Sequence, residues 1–128
     1  MENPETIILL YILFIWFVVL HTFEEIAQGI FTLKIKKTTL TKKKYLIGAS
    51  IITTVNFATL TLIILESKIG LYIGIFTVSI FGILQAVIHT IGFIKEKGKA
   101  KNIGSGFYSS IPLSIVASIL LYHILIKI

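Results

Sequence analysis

The chain has 128 residues, of which 55% are hydrophobic and only 14% charged, with a mean hydropathy of +0.95. A soluble domain carries about 25% charged residues, so this composition excludes a disordered chain, a basic nucleic-acid-binding arm and an ordinary cytosolic enzyme. The net charge of +6 comes from lysine alone, with no Arg and no Asp, and the absence of Cys excludes disulfides, thiolate metal sites and a cysteine nucleophile.

Apolar stretches of about 20 residues read as membrane-crossing helices. Four are found, at about 6–33, 45–65, 70–94 and 107–126, forming a single integral membrane domain. Short connections between long helices predict an all-α, up-down bundle of four transmembrane helices. The first span opens on Asn3-Pro4-Glu5: a capping side chain, a proline in the first turn and a carboxylate at the positive dipole end. The start of the chain holds Glu2 and Glu5 but no Lys or Arg, which argues against a cleaved signal peptide.

Lysine placement sets the direction. Lys34, Lys36, Lys37, Lys42, Lys43 and Lys44 follow the first span, and Lys95, Lys97, Lys99 and Lys101 follow the third. Only Lys68 and Lys127 lie elsewhere, so ten of the 12 lysines share one side. The positive-inside rule makes that side cytoplasmic and both termini external (N-out/C-out), in a multi-pass protein of the cytoplasmic (inner) membrane. The same lysines can attract the headgroups of anionic membrane lipids.

Small residues at intervals of four or eight mark close helix packing. Gly70, Gly74, Gly82 and Ala86 form such a stripe in the third span, and Ser110, Ser114 and Ser118 in the fourth. Either stripe could instead be the face of a homo-oligomer. His123, at the outer end of the fourth span, reads as an interfacial residue.

Polar and ionisable groups within a bilayer are expensive and mark function. Here they are His21, Glu24, Glu25, Gln28, Asn56, Gln85 and His89, with Tyr108, Ser109 and Ser110 opening the fourth span. At a rise of about 1.5 Å per residue, His21 lies roughly 21 Å and Glu25 roughly 27 Å below the outer edge, level with Gln85 at roughly 22 Å and His89 at roughly 28 Å. Asn56 lies nearer the midplane. His21, Glu24 and Glu25 stand at i, i+3 and i+4, and Gln85 and His89 at i and i+4, so each set shares a helix face.

Two carboxylates in hydrocarbon must be protonated or paired with a cation. His21, Glu24, Glu25 and His89 make a nitrogen and oxygen set suited to a divalent metal such as Zn or Fe, and less to Mg or Ca. Such an ion with an open position acidifies bound water, which points to a metal-dependent hydrolase of a lipid or lipid-like amphiphile whose polar end reaches the inner third. In that reading His21, Glu25 and His89 hold the ion, Glu24 is a fourth ligand or the general base, Asn56 and Gln85 orient ligands or stabilise an oxyanion, and Tyr108 or Ser109 contacts a headgroup. Three other readings stay open. The cluster can be a satisfied polar knot between helices, a proton or cation relay in a transport protein, or part of a non-catalytic immunity or interaction protein.

The run His21-Thr22-Phe23-Glu24-Glu25 resembles the signature of the HXXEE family, small polytopic membrane proteins of bacteria and archaea. The resemblance covers most of the chain, with Asn56 and His89 at positions where that family carries polar residues. Where the family tends to show Pro-Gly and then a threonine, this chain has Ser105-Gly106-Phe107-Tyr108-Ser109, with Pro112 beyond. The family's arginine before that stretch is absent, with Lys95 or Lys97 in its place. The resemblance implies the topology and these site residues, and a membrane enzyme without a named substrate.

Overall fold

Helix α1 starts at Pro4, which needs no backbone donor there, and runs to Ala27. A computed structural model of the chain describes residues 4–32, 34, 35 and 37–128; Glu2, Asn3, Leu33 and Lys36 of the sequence reading lie outside the described residues. The buried side chains of α1 are Ile7, Tyr11, Phe14, Ile15, Val18, His21 and Glu25. Apart from Ile15 beside Phe14, they alternate in steps of four and three, the spacing of one helix face. His21 and Glu25 therefore continue the apolar seam that packs the rest of the helix.

The first helix ends earlier than the expected 33. Gly29 takes a left-handed φ of 77°, which stops a helix at no steric cost. A short helical turn at Ile30–Thr32 follows, then a small antiparallel hairpin pairing Lys34–Ile35 with Thr38–Thr39. Helix α2, Lys42–Ile64, is capped by the Thr41 hydroxyl, which accepts from the Lys44 amide. It starts three residues before the expected 45, because the cap decides the boundary and lysines at an interface are good helix formers.

The third span runs from Lys68 to Lys95. It is built as α3 (Lys68–Val78), a π-helical stretch (Ser79–Leu84) and α4 (Gln85–Lys95). A stripe spaced by four residues drifts about 40° per step around an ordinary helix, and an under-wound π stretch brings it back. Gly70, Gly74, Gly82 and Ala86 are accordingly all buried. At Gly82 an added Cβ would collide with the Ala117 Cβ, so this span and the last one touch almost backbone to backbone.

Helix α5, Phe107–Lys127, buries Ser110, Leu113, Val116, Ala117, Leu120 and Ile124. The serine stripe read in the fourth span is corrected here: Ser114 and Ser118 are not buried, and their hydroxyls donate to Ile111 O and Ser114 O of their own helix. A hydroxyl that bonds its own backbone needs no neighbouring helix.

The result is an all-α bundle of four spans, each long and apolar enough to cross a membrane. The interior is a narrow seam around Tyr11, Phe14, Val78, Leu113, Ala117 and Leu120. Large apolar side chains on every span face outward, among them Leu9, Trp16, Phe57, Phe76 and Tyr122. In water such patches would drive aggregation; in a bilayer they are the lipid face. The chain is a multi-pass membrane protein.

Candidate metal centre

His21 and Glu25 reach the lysine-rich end of the bundle on the buried face of α1, and His89 reaches it on α4. All three are nearly inaccessible, at 2%, 7% and 5% exposure. His21 Nε2 lies 3.1 Å from His89 Nε2. Glu25 Oε1 lies 3.7 Å from His21 Nε2 and 3.4 Å from His89 Nε2. Among the described residues, these three form the group able to hold a metal ion.

The partners of the outer ring nitrogens fix which nitrogens carry protons. His89 Nδ1 donates to the Ile103 carbonyl at 2.7 Å, leaving Nε2 bare in the neutral ring. His21 Nδ1 faces Ser109 Oγ at 2.9 Å, and that hydroxyl spends its own proton on Gly106 O at 3.2 Å. His21 Nδ1 is therefore the donor. The Gln85 amide Nε2, which cannot accept, donates to His21 Nε2 at 2.8 Å. The Gln85 amide thus holds the lone pair of His21 Nε2, with the bare His89 Nε2 and Glu25 Oε1 beside it.

The spacing suits a metal. Tetrahedral ligands on bonds of about 2.05 Å stand about 3.3 Å apart, whereas those on an octahedral face stand about 2.9 Å apart. The observed 3.1, 3.4 and 3.7 Å lie in the range of ligand atoms around one ion, so the group could hold a metal.

Three features hold this geometry. Gly92 lets the Ile103–Gly104 backbone lie directly on α4, since an added Cβ would meet Gly104 N and Ile103 C at 2.5 Å. That approach delivers the Ile103 carbonyl to His89. Gly106 takes a φ of 85°, and a Cβ there would come within 2.5 Å of His21 Cε1 and 2.8 Å of Glu25 Cγ. No other residue both turns the chain and leaves room for the imidazole. Tyr45, on the first turn of α2, donates from Oη to Glu25 Oε2 at 2.6 Å, and its ring meets Phe31 edge to face. One carboxylate oxygen is thereby engaged and the other left free. Tyr45 and Ile103 were not found in the sequence. A tyrosine at a membrane interface is ordinary content, and a backbone carbonyl has no residue signature.

The remaining predicted residues fall into place differently. Glu24 does not join the imidazoles. Its Oε2 accepts from the Ser109 amide at 2.7 Å and its Oε1 from Gln28 Nε2 at 2.8 Å, while Gln28 Oε1 accepts from the Gly106 amide at 2.7 Å. Glu24 and Gln28 together cap the start of α5, whose orphan amides and positive end favour an acceptor. Adjacent residues on a helix point about 100° apart, so Glu24 and Glu25 cannot both face one ion.

Asn56 is also removed from the centre. It is fully buried, accepting from Tyr11 Oη at 3.1 Å and donating to Ile52 O at 2.9 Å, with Thr77 Oγ1 on the other side of Tyr11 at 2.7 Å. This second polar cluster lies nearer the end opposite the lysine-rich loops and is internally satisfied. Tyr108 is exposed, edge-on to Phe93 and Phe107, and turned from the imidazoles. Ser109 does reach the centre, as the partner of His21, and Gln85 reaches it directly. His123 sits against Tyr122 at the end of α5 far from the lysine-rich loops.

The site is therefore a buried His-Glu-His group within a four-span membrane bundle. No protein-family model, curated protein or solved structure matches the chain. Of the first-helix motif His21-Thr22-Phe23-Glu24-Glu25, His21 and Glu25 face the centre and Glu24 braces α5.

Proposed function

We propose that this protein is a membrane metalloenzyme that holds one zinc ion between His21, Glu25 and His89 and hydrolyses a lipid or lipid-like amphiphile. The observation that carries the reading is the convergence of His21 Nε2, His89 Nε2 and Glu25 Oε1, buried and within 3.7 Å of one another. With Glu24 engaged elsewhere, the chain supplies three ligands, and two histidines with one glutamate and an open fourth position is a catalytic zinc pattern. In that position the ion supplies Lewis acidity to a water or a carbonyl oxygen. The chain's own groups do the rest. Ile103 O and Ser109 fix the two ring orientations, Tyr45 holds Glu25, and Glu24 with Gln28 secures the start of α5.

The depth of the centre supports an amphiphilic substrate, whose polar end would lie at the level of His21 and His89 while its chains stay in lipid. The lysine-rich end faces the cytoplasm in this reading, and the protein resides in the cytoplasmic membrane.

Elemental analysis of detergent-purified protein tests the proposal. One zinc per chain is expected, lost in a His21→Ala/His89→Ala double variant and retained in Glu24→Gln. The same preparations should release acyl chains from fluorogenic ester-lipid vesicles only when zinc is present. Protein that takes up no stoichiometric metal from zinc-replete buffer would end the metal reading. Zinc without any cleavage of ester lipid would end the hydrolytic one.

A further inference from the structure

The Gln85 side chain occupies the lone pair that an ion at this centre must use. Its Nε2 stands 2.8 Å from His21 Nε2, and an amide nitrogen can only donate there. A bare imidazole nitrogen has one lone pair and cannot serve an amide proton and a metal together. Occupation of the centre therefore frees the Gln85 amide.

The freed group is half-buried, one helical turn from His89 on the same face of α4. It follows directly on the π-helical stretch Ser79–Leu84, which sets the register of that face. A half-buried amide without an acceptor is costly, so it turns to the nearest oxygen. Glu25 cannot supply one freely, because Oε2 is held by Tyr45 and Oε1 faces the imidazoles. An oxygen in the open position of the ion would offer that acceptor.

We infer that Gln85 is the hydrogen-bond donor that grips the oxygen of a ligand at the open position, selecting carbonyl, carboxylate or phosphoryl oxygen. The inference rests on the zinc reading above. It makes Gln85 a competitor of the metal when the centre is empty and a partner of the ligand when it is full. A fourth protein ligand would behave in the opposite way toward the metal, which separates the two roles.

Full-length protein in detergent provides the test, with zinc affinity measured against a chromophoric chelator. Acetate, as the oxygen-donor probe, is titrated into cobalt-substituted protein and followed by the visible ligand-field bands. Gln85→Met keeps the bulk of the side chain and removes the donor. Gln85→Asn keeps an amide but withdraws it by one methylene, and serves if the first variant does not fold. Either variant should bind zinc about fivefold more tightly, since one competing hydrogen bond is gone. Either should bind acetate at least about tenfold more weakly, the loss of a hydrogen bond to a charged group. Weaker zinc binding would instead make Gln85 a ligand, and unchanged acetate binding would show the amide turned away; each result overturns the inference. A wild-type protein that binds neither zinc nor cobalt would remove the centre itself, a distinct failure.

Discussion

Replacing Tyr45 with Phe removes one oxygen and nothing else from the centre. The hydroxyl donates to Glu25 Oε2 over 2.6 Å, and the ring remains packed edge-on against Phe31 with centroids 5.4 Å apart. A hydrogen bond to a charged group contributes about 1.5–3 kcal/mol, equal to about a tenfold to hundredfold change in a dissociation constant. Tyr45 is only partly buried, so water can reach part of the gap and the lower half of that range is expected. The loss should appear in the metal constant because the carboxylate is freed to rotate, and the unheld oxygen no longer leaves Oε1 aimed at the imidazoles. Zinc competition in detergent, run beside circular dichroism, reads both affinity and fold. A Tyr45→Phe protein that is fully helical and binds zinc as well as the wild type would refute the argument that this hydroxyl holds Glu25 in place.

Tyr11→Phe supplies the contrast: it strips Asn56 Oδ1 and Thr77 Oγ1 of a shared partner in a dry part of the bundle. It should lower unfolding stability by about 1–3 kcal/mol in denaturant titrations and leave zinc affinity unchanged. Gly106→Ala places a methyl within 2.5 Å of His21 Cε1 at a φ of 85°. The backbone term alone costs about 1 kcal/mol, and displacement of the imidazole should weaken zinc binding by more than about tenfold in the same competition assay. On the lysine-rich loop, the Asn102 amide hydrogen-bonds Glu96 and, with Lys101 and Lys99, holds its carboxyl below the ordinary value of 4.5, against the opposing effect of desolvation. A depressed carboxylate stabilises the folded loop above its unfolded pKa and loses that contribution as pH falls through the folded one. Hydrogen exchange over the loop between α4 and α5 should therefore quicken below about pH 4.5, and a Glu96→Gln variant should show no such acid step.

Much of this protein was legible in one dimension. The four spans follow from hydropathy, because a bilayer requires long apolar segments with internally satisfied backbone. The common depth of His21, Glu25, Gln85 and His89 follows from a constant helical rise, and the structure brings those side chains together. The glycine stripe of the third span follows from its four-residue period. Which residue of a neighbouring pair faces inward is a matter of azimuth, not depth. Glu24 and Glu25 differ by one position, and only the seam through Ile7, Tyr11, Phe14 and Val18 decides that Glu25 turns to the imidazoles.

Asn56 differs by depth: its place nearer the midplane sets it level with Tyr11 and Thr77, about ten residues along α1 from His21. The groups that complete the centre come from contacts without a local pattern: the Tyr45 hydroxyl from the first turn of α2 and the Ile103 carbonyl from the α4–α5 loop. Hydrophobicity and rise are properties of a segment and survive in the sequence. Rotation about the helix axis and the approach of one backbone to another are set by packing between segments, so the tertiary structure alone assigned partners to the buried acids and imidazoles.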